Sequence, residues 1–139
     1  MTRSIAVLGG TGPEGFGLAR RWAKAGEKII IGSRDAKRAR AAAEKITASI
    51  EDAQVSGDEN IVACAAADLV VLTIPFEGHA PLLKQIKPVI RPDAIVVDAT
   101  VPLAASVGGR ARLQKRSRLP SRMRRSLEMK TALPVLQPI

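Results

Sequence analysis

Six residues near the amino end, Gly10-Thr11-Gly12-Pro13-Glu14-Gly15, carry a GxGxxG spacing. Glycines spaced this way suit one task, which is to wrap backbone around a pyrophosphate. Gly10 permits a tight turn, Gly12 lets the backbone approach the ligand, and Gly15 allows a helix to pack closely on a strand. The spacing follows directly on an apolar strand pattern, "SIAVL" at 4–8, and opens a helical pattern at Pro13. The chemistry needs that context, because the free N–H groups and positive dipole end of a helix then face the phosphates. The end of the next apolar run selects the dinucleotide. NAD binders commonly place a carboxylate there to hold the ribose 2′-hydroxyl. This chain has Gly32-Ser33-Arg34 instead. The planar guanidinium of Arg34 and the hydroxyl of Ser33 suit a 2′-phosphate, and Lys37 and Arg38 add charge one helical turn on. The expected nucleotide is NADP(H). Asp35 could reach a ribose, but it follows Arg34 rather than ending the strand. Arg40 reads as part of a solvated helix face.

No other residue set demands a reacting side chain. The chain has one histidine, His79, and one cysteine, Cys64, too few soft ligands for a zinc site. There is no Ser-His-Asp arrangement and no convincing carboxylate pair, so neither a catalytic side chain nor a metal ligand is expected. Hydride chemistry is compatible with that, because the cofactors carry the reaction while the protein supplies position and electrostatics. His79 reads as a cap or surface group near a helix start, with substrate contact as the alternative. Cys64 reads as a small core residue and Trp22 as helix-to-sheet packing.

The elements that must position these residues alternate along the chain. Strand patterns are expected at 4–8, at "KIIIG", at "DLVVLTIP" and at "AIVVDAT". Helical patterns are expected from about Pro13 to Ala25 with Gly26 as the stop, over 36–47 after a capping turn at Ser33 to Asp35, over a short stretch from Asp58 or Asn60 to near Ala67, and from Pro81 to about Ile90. Residues 48–57 are poorly patterned, with room for a short third strand. The strands are apolar throughout, which marks a parallel sheet covered on both faces. The fold class is therefore α/β, a Rossmann-type doubly wound parallel sheet.

Composition narrows the class. The 139 residues are 46% hydrophobic and 25% charged, which fits one globular domain and excludes a disordered or fibrous chain. Apolar runs such as "LVVLTIPF" are too short to cross a bilayer, and "MTRSIAVLGG" leads into a strand without a cleavage site, so neither a membrane span nor a signal peptide is expected. A single cysteine fits a reducing, cytoplasmic setting. The charge is divided unevenly. Residues 1–109 hold 13 basic and 12 acidic side chains, whereas 110–139 hold 9 basic and 1 acidic. The expected organisation is an NADP-binding domain over 1–109 and a basic, poorly patterned tail over 110–139.

The segments "IAVLGGTGPEGFGLARRWAKAGEKIIIGSRD", "ADLVVLTIPFEGHA" and "IVVDATVPL" together resemble the F420-dependent NADP reductases, over roughly residues 4–107. Members of that family move hydride between NADP(H) and the deazaflavin coenzyme F420. The resemblance implies an NADP-dependent oxidoreductase with coenzyme F420 or a similar acceptor as co-substrate, and a homodimer as one arrangement. It also implies roles. Thr11, Gly12, Pro13 and Glu14 would line the diphosphate, and Ser33, Arg34 and Arg38 would hold the 2′-phosphate. Pro75 and Phe76 would border the ribose and nicotinamide, with Phe76 standing where the family commonly has tryptophan. Val101, Pro102 and Leu103 would flank the nicotinamide.

The resemblance stops in the tail. Family members continue past the fifth strand with further helices and strands that complete the deazaflavin pocket. Here Arg110 to Arg125 holds eight basic residues and no aromatic. A truncated or altered carboxyl end, from a shifted reading frame or a mis-ended gene, is one reading. A solvated tail is another, and an arm for nucleic acid or an acidic partner is the third. The missing aromatics argue against single-strand stacking. The first reading predicts a chain that binds NADPH and turns it over poorly. The alternative function is a dinucleotide-binding module without catalysis, whose tail contacts such a partner.

Overall fold

The computed structural model describes residues 3–101. The proposed boundary at residue 109, the basic tail, and with it the alternative of a tail-mediated contact lie outside them, as do Pro102 and Leu103. The elements run β1 (Ser4–Leu8), α1 (Pro13–Lys24), β2 (Lys28–Ser33), α2 (Ala36–Thr47), β3 (Val55–Glu59), α3 (Asn60–Ala65), β4 (Leu69–Leu72), a 3-10 turn (Phe76–Gly78), α4 (His79–Ile86) and β5 (Ile95–Asp98). The strands form one parallel sheet in the order β3-β2-β1-β4-β5. The chain winds outward from β1 to β3, then crosses back to lay β4 on the other side of β1. That reversal opens a crevice at the carboxyl ends of β1 and β4, where ligands of such sheets bind.

Strand periodicity explains the uniformly apolar strands. Alternate side chains point to opposite faces, and each face has its own helices. Ile5, Val7, Ile29, Ile31 and Val71 pack with Ala19 and Ala23 of α1 and with Ala39, Ala42, Ala43 and Ile46 of α2. Ala6, Leu8, Ile30, Val70 and Leu72 pack with Ala63 and Cys64 of α3 and with Leu82 and Ile86 of α4. Fully buried side chains such as Leu8, Ile31 and Leu72 each contribute roughly 1.5–3 kcal/mol by leaving water. Alanines on the helices let them sit low on the sheet. Trp22 packs half-buried against the α1–α2 core. Cys64 is fully buried, and burial pushes its thiol up to about 11.

Several boundaries differ from the sequence reading. The third strand lies at Val55–Glu59 and runs into the acidic residues. Helix α3 stops at Ala65 rather than near Ala67, because Asp68 must reach β1, where it accepts from the Ser4 N–H at 3.0 Å. Helix α4 begins at His79 and ends at Ile86, not over Pro81 to Ile90. Pro81 sits in its first turn, where a missing N–H costs nothing. The Gly26 stop is as read, in left-handed backbone at φ 88°.

Candidate functional site

The glycine loop is tied to both neighbouring strands. The N–H groups of Gly9 and Gly10 both donate to Gly32 O of β2 at 3.0 Å. On the other side, the N–H and hydroxyl of Thr73, just past β4, donate to Leu8 O at 3.0 and 2.9 Å. The left-handed residue is Gly9, at φ 78°, so the tight turn expected of Gly10 falls one residue earlier. Within the loop, Gly15 is the closest approach. A Cβ there would overlap the Thr73 hydroxyl and lie 2.9 Å from Gly9 O.

Gly12 differs from both. Its backbone is extended at φ −77°, and an added Cβ would meet Gly9 O at 3.4 Å and nothing closer. The space in front of it is open. It caps α1 without any side-chain hydrogen bond, and Pro13 follows as the first helical residue. The first-turn N–H groups of a helix have no partner within it, so here they are available to a ligand at a positive dipole end.

At the end of β2, Ser33 is buried and its Oγ accepts from the Asp35 N–H at 3.3 Å. The Asp35 carboxylate accepts from the Lys37 N–H at 2.8 Å and caps α2. That bond ties the Asp35 carboxylate to the start of α2. Arg34 between them is left exposed. Arg38 stands one turn into α2 and lines a cleft of about 430 Å³ together with Thr11, Gly12, Pro13 and Phe16. The structure thus brings the loop and Arg38 to one cleft, while Arg34 stands exposed at the β2 end. Lys45 also lines that cleft. Its signal in the sequence was its place seven residues after Arg38 on the same helix face.

Two further residues of the site were not legible as such. Asn60 is buried, and its Oδ1 accepts from the Gly9 N–H at 3.4 Å, bracing the loop from α3. Thr73 sets the seat of Gly15. Neither has a sequence signal beyond its polarity, because each partner is more than fifty residues away.

The β4–β5 side is built differently. Pro75 is exposed, Phe76 is half-buried in the 3-10 turn, and Val101 is 69% exposed. The Phe76 ring lies parallel to that of His79, with centroids 6.4 Å apart. His79 Nε2 lies 2.6 Å from Asp98 Oδ2. Asp98 Oδ1 accepts from the Thr100 N–H at 2.9 Å and from its hydroxyl at 2.6 Å. Glu14 and Pro13 are exposed at the start of α1.

A second cleft, of about 460 Å³, lies by the far end of α1 and is lined by Arg20, Arg21, Lys24, Ser49 and Ile50. It is at the opposite ends of the strands from the crevice and contains none of the motif residues, so size does not decide the site. Among the described residues no His, Cys, Asp and Glu group could hold a metal ion, and no helix is long and apolar enough to cross a membrane.

The family described as NADP oxidoreductase, coenzyme F420-dependent, matches residues 4–102. An F420-dependent NADP reductase of Methanothermobacter thermautotrophicus is 48% identical over 113 residues, which are 80% of this chain and 48% of that protein. One from Methanocaldococcus jannaschii is 44% identical over 108 residues, 75% of this chain and 48% of that protein. The chain thus spans about half the length of these relatives. Among solved structures, (S)-3-hydroxybutyryl-CoA dehydrogenase from Ralstonia eutropha superposes with a TM-score of 0.59 at 16% identity, covering 81% of this chain and 46% of that one. Lactate dehydrogenase from Cryptosporidium parvum, solved with lactic acid and nicotinamide adenine dinucleotide, superposes at 0.62 with 24% identity, covering 78% of this chain and 40% of that one. These likenesses are of fold.

Proposed function

The chain belongs to the coenzyme F420-dependent NADP oxidoreductases, and from that membership we propose that it binds NADP(H) in the crevice between β1 and β4 and takes part in hydride transfer with coenzyme F420. The observation that carries the nucleotide reading is the shared cleft of Thr11, Gly12 and Arg38. An open-faced glycine, an uncapped helix start and a guanidinium meet there, and each suits a phosphate oxygen.

The donor set fits the dinucleotide. The first turn of α1 and the Thr11 hydroxyl would take the diphosphate. Gly12 offers no side chain to keep it at a distance, and Glu14 at the exposed start of α1 lines the same group. Ser33, Arg34 and Arg38 would take the 2′-phosphate. Arg34 binds bidentately from solvent, and Arg38 and Lys45 neutralise the same group from the cleft wall. Pro75 and Phe76, with Val101 across from them, would then border the ribose and nicotinamide. When bound, NADPH supplies the hydride. The residues of this chain hold the nucleotide in place and keep its ring on a half-dry wall, and most of the rate in such a step comes from positioning. The acceptor is read from the relatives, which are named for coenzyme F420.

Titration of NADPH and NADH against the chain and its Arg34→Ala variant tests the nucleotide reading. Losing a charged bidentate contact costs about 1.5–3 kcal/mol, so NADPH affinity should fall roughly ten- to a hundredfold while NADH affinity barely changes. Equal losses for both would show that Arg34 supports the fold instead. The acceptor is tested by mixing the NADPH-loaded chain with oxidised coenzyme F420 or with free flavin. Reduction of flavin in preference to the deazaflavin would overturn it.

A further inference from the structure

We propose that His79 and Asp98 form a positioning pair that sets the gap between the β4 and β5 exit loops, and through it the seat of the nicotinamide end of the nucleotide; this rests on the NADP(H) reading above. The ladder between β4 and β5 ends where the Ala99 N–H donates to Leu72 O at 3.1 Å. Beyond it the two loops diverge. One runs through Ile74, Pro75 and Phe76, the other through Thr100 and Val101. The His79–Asp98 contact, at 2.6 Å, crosses that divide.

Each end of the contact is anchored to a loop residue. On the β5 side Asp98 Oδ1 takes both the N–H and the hydroxyl of Thr100, which bends the backbone just before Val101 in an Asx-type turn. On the β4 side the imidazole lies at 11° to the Phe76 ring. One carboxylate therefore fixes the path into Val101 and, through the imidazole, the wall formed by Phe76. The two side chains are 21% and 33% exposed, and the carboxylate belongs to the edge strand of the sheet, so the contact stands at the rim of the crevice. The phosphate-binding residues lie on β2, α2 and the glycine loop, so the pair does not touch that half of the nucleotide.

The test compares two probes on the same chain: NADPH, and adenosine 2′,5′-bisphosphate, which has the 2′-phosphate but no nicotinamide. Folding of each variant is checked by circular dichroism and thermal melting. His79→Ala should weaken NADPH by about three- to tenfold, the cost of losing one hydrogen bond, Asp98→Ala, which also releases Thr100, should weaken it at least as much, and both should leave the bisphosphate unchanged. The double variant should be no worse than the weaker single one, because both remove the same link. His79→Gln retains an N–H donor and should recover most of the NADPH loss. Unchanged NADPH binding in both single variants, equal weakening of both probes, or additive losses in the double variant would overturn the pairing while the nucleotide reading stands. Failure of the unaltered chain to bind either probe would overturn both.

Discussion

Around Gly9 and Gly10 the backbone is bonded to β2 twice, held from β4 by Thr73 and braced from α3 by Asn60. Across the crevice, the loop after β5 is held by Asp98 and its contacts with Thr100 and His79, all at the surface, and Val101 is 69% exposed. The two sides of one sheet thus differ in how strongly their geometry is determined. The β1–β2 side is locked by backbone bonds and close-packed glycines, so on the proposed function the backbone of the loop is in place before the nucleotide arrives. Such preorganisation gives affinity, because little has to be ordered on binding. The β4–β5 side is held by a few side chains and stays open. On the proposed function that is where a second reactant has to approach and leave.

The sharpest way to break the comparison is at the glycines. Gly12→Val should keep the fold, since the backbone is extended and the nearest atom to a Cβ is Gly9 O at 3.4 Å. NADPH binding should be lost, because the branched side chain would occupy the open face. A folded variant that binds NADPH normally would take the loop out of the site. Gly15→Val should instead cost the fold itself, read as a lowered melting temperature, because its Cβ has no room beside Thr73.

Core truncation should show the same asymmetry in stability. Ile31 is fully buried, and Ile31→Ala should cost about 2–5 kcal/mol by loss of contacts and creation of a cavity. Val97 of β5 is 40% exposed, and Val97→Ala should fall within roughly 0.5 kcal/mol of the parent. Urea unfolding measures both. Comparable losses would mean that the β5 edge is covered in solution.

The smallest expected effect lies at the other ends of the strands. The N–H and hydroxyl of Ser4 hold the Asp68 carboxyl below its ordinary value of 3.8, with Arg91 adding attraction at 2.8 Å. A lowered value in the folded state means that the stabilisation is fully present above the ordinary carboxylate range. It is lost as pH falls through the folded value. Asp68→Asn should therefore flatten the acid limb of the stability profile and leave NADPH binding at neutral pH unchanged. A change in NADPH affinity would show that the two ends of the sheet are coupled.

Much of the β1–β2 side was legible because its determinants are local. Glycine spacing, a proline at a helix start and an apolar run between turns each act within a few residues. Asp35 shows how far this goes: a cap was expected at that turn, and its carboxylate accepts from the Lys37 N–H. Asn60 shows where it stops. Its residue type suggested a helix cap, yet Glu59 holds that position and the Asn60 amide braces Gly9, 51 residues earlier. Strand β3, "VSGDE", hid for a related reason. An edge strand takes its order from pairing with β2, not from its own alternation.

From the sequence by itself came the element types, the parallel two-faced sheet and the glycine loop between β1 and α1, because periodicity and turn chemistry operate at short range. Tertiary structure alone decided that Gly9 rather than Gly10 makes the left-handed turn, that Thr73 leaves Gly15 no room for a side chain, that Asn60 braces Gly9, and that His79 meets Asp98 across two loops. Each of these depends on how strands distant in sequence stack side by side, and a residue's own neighbours in the chain contain no record of that distance.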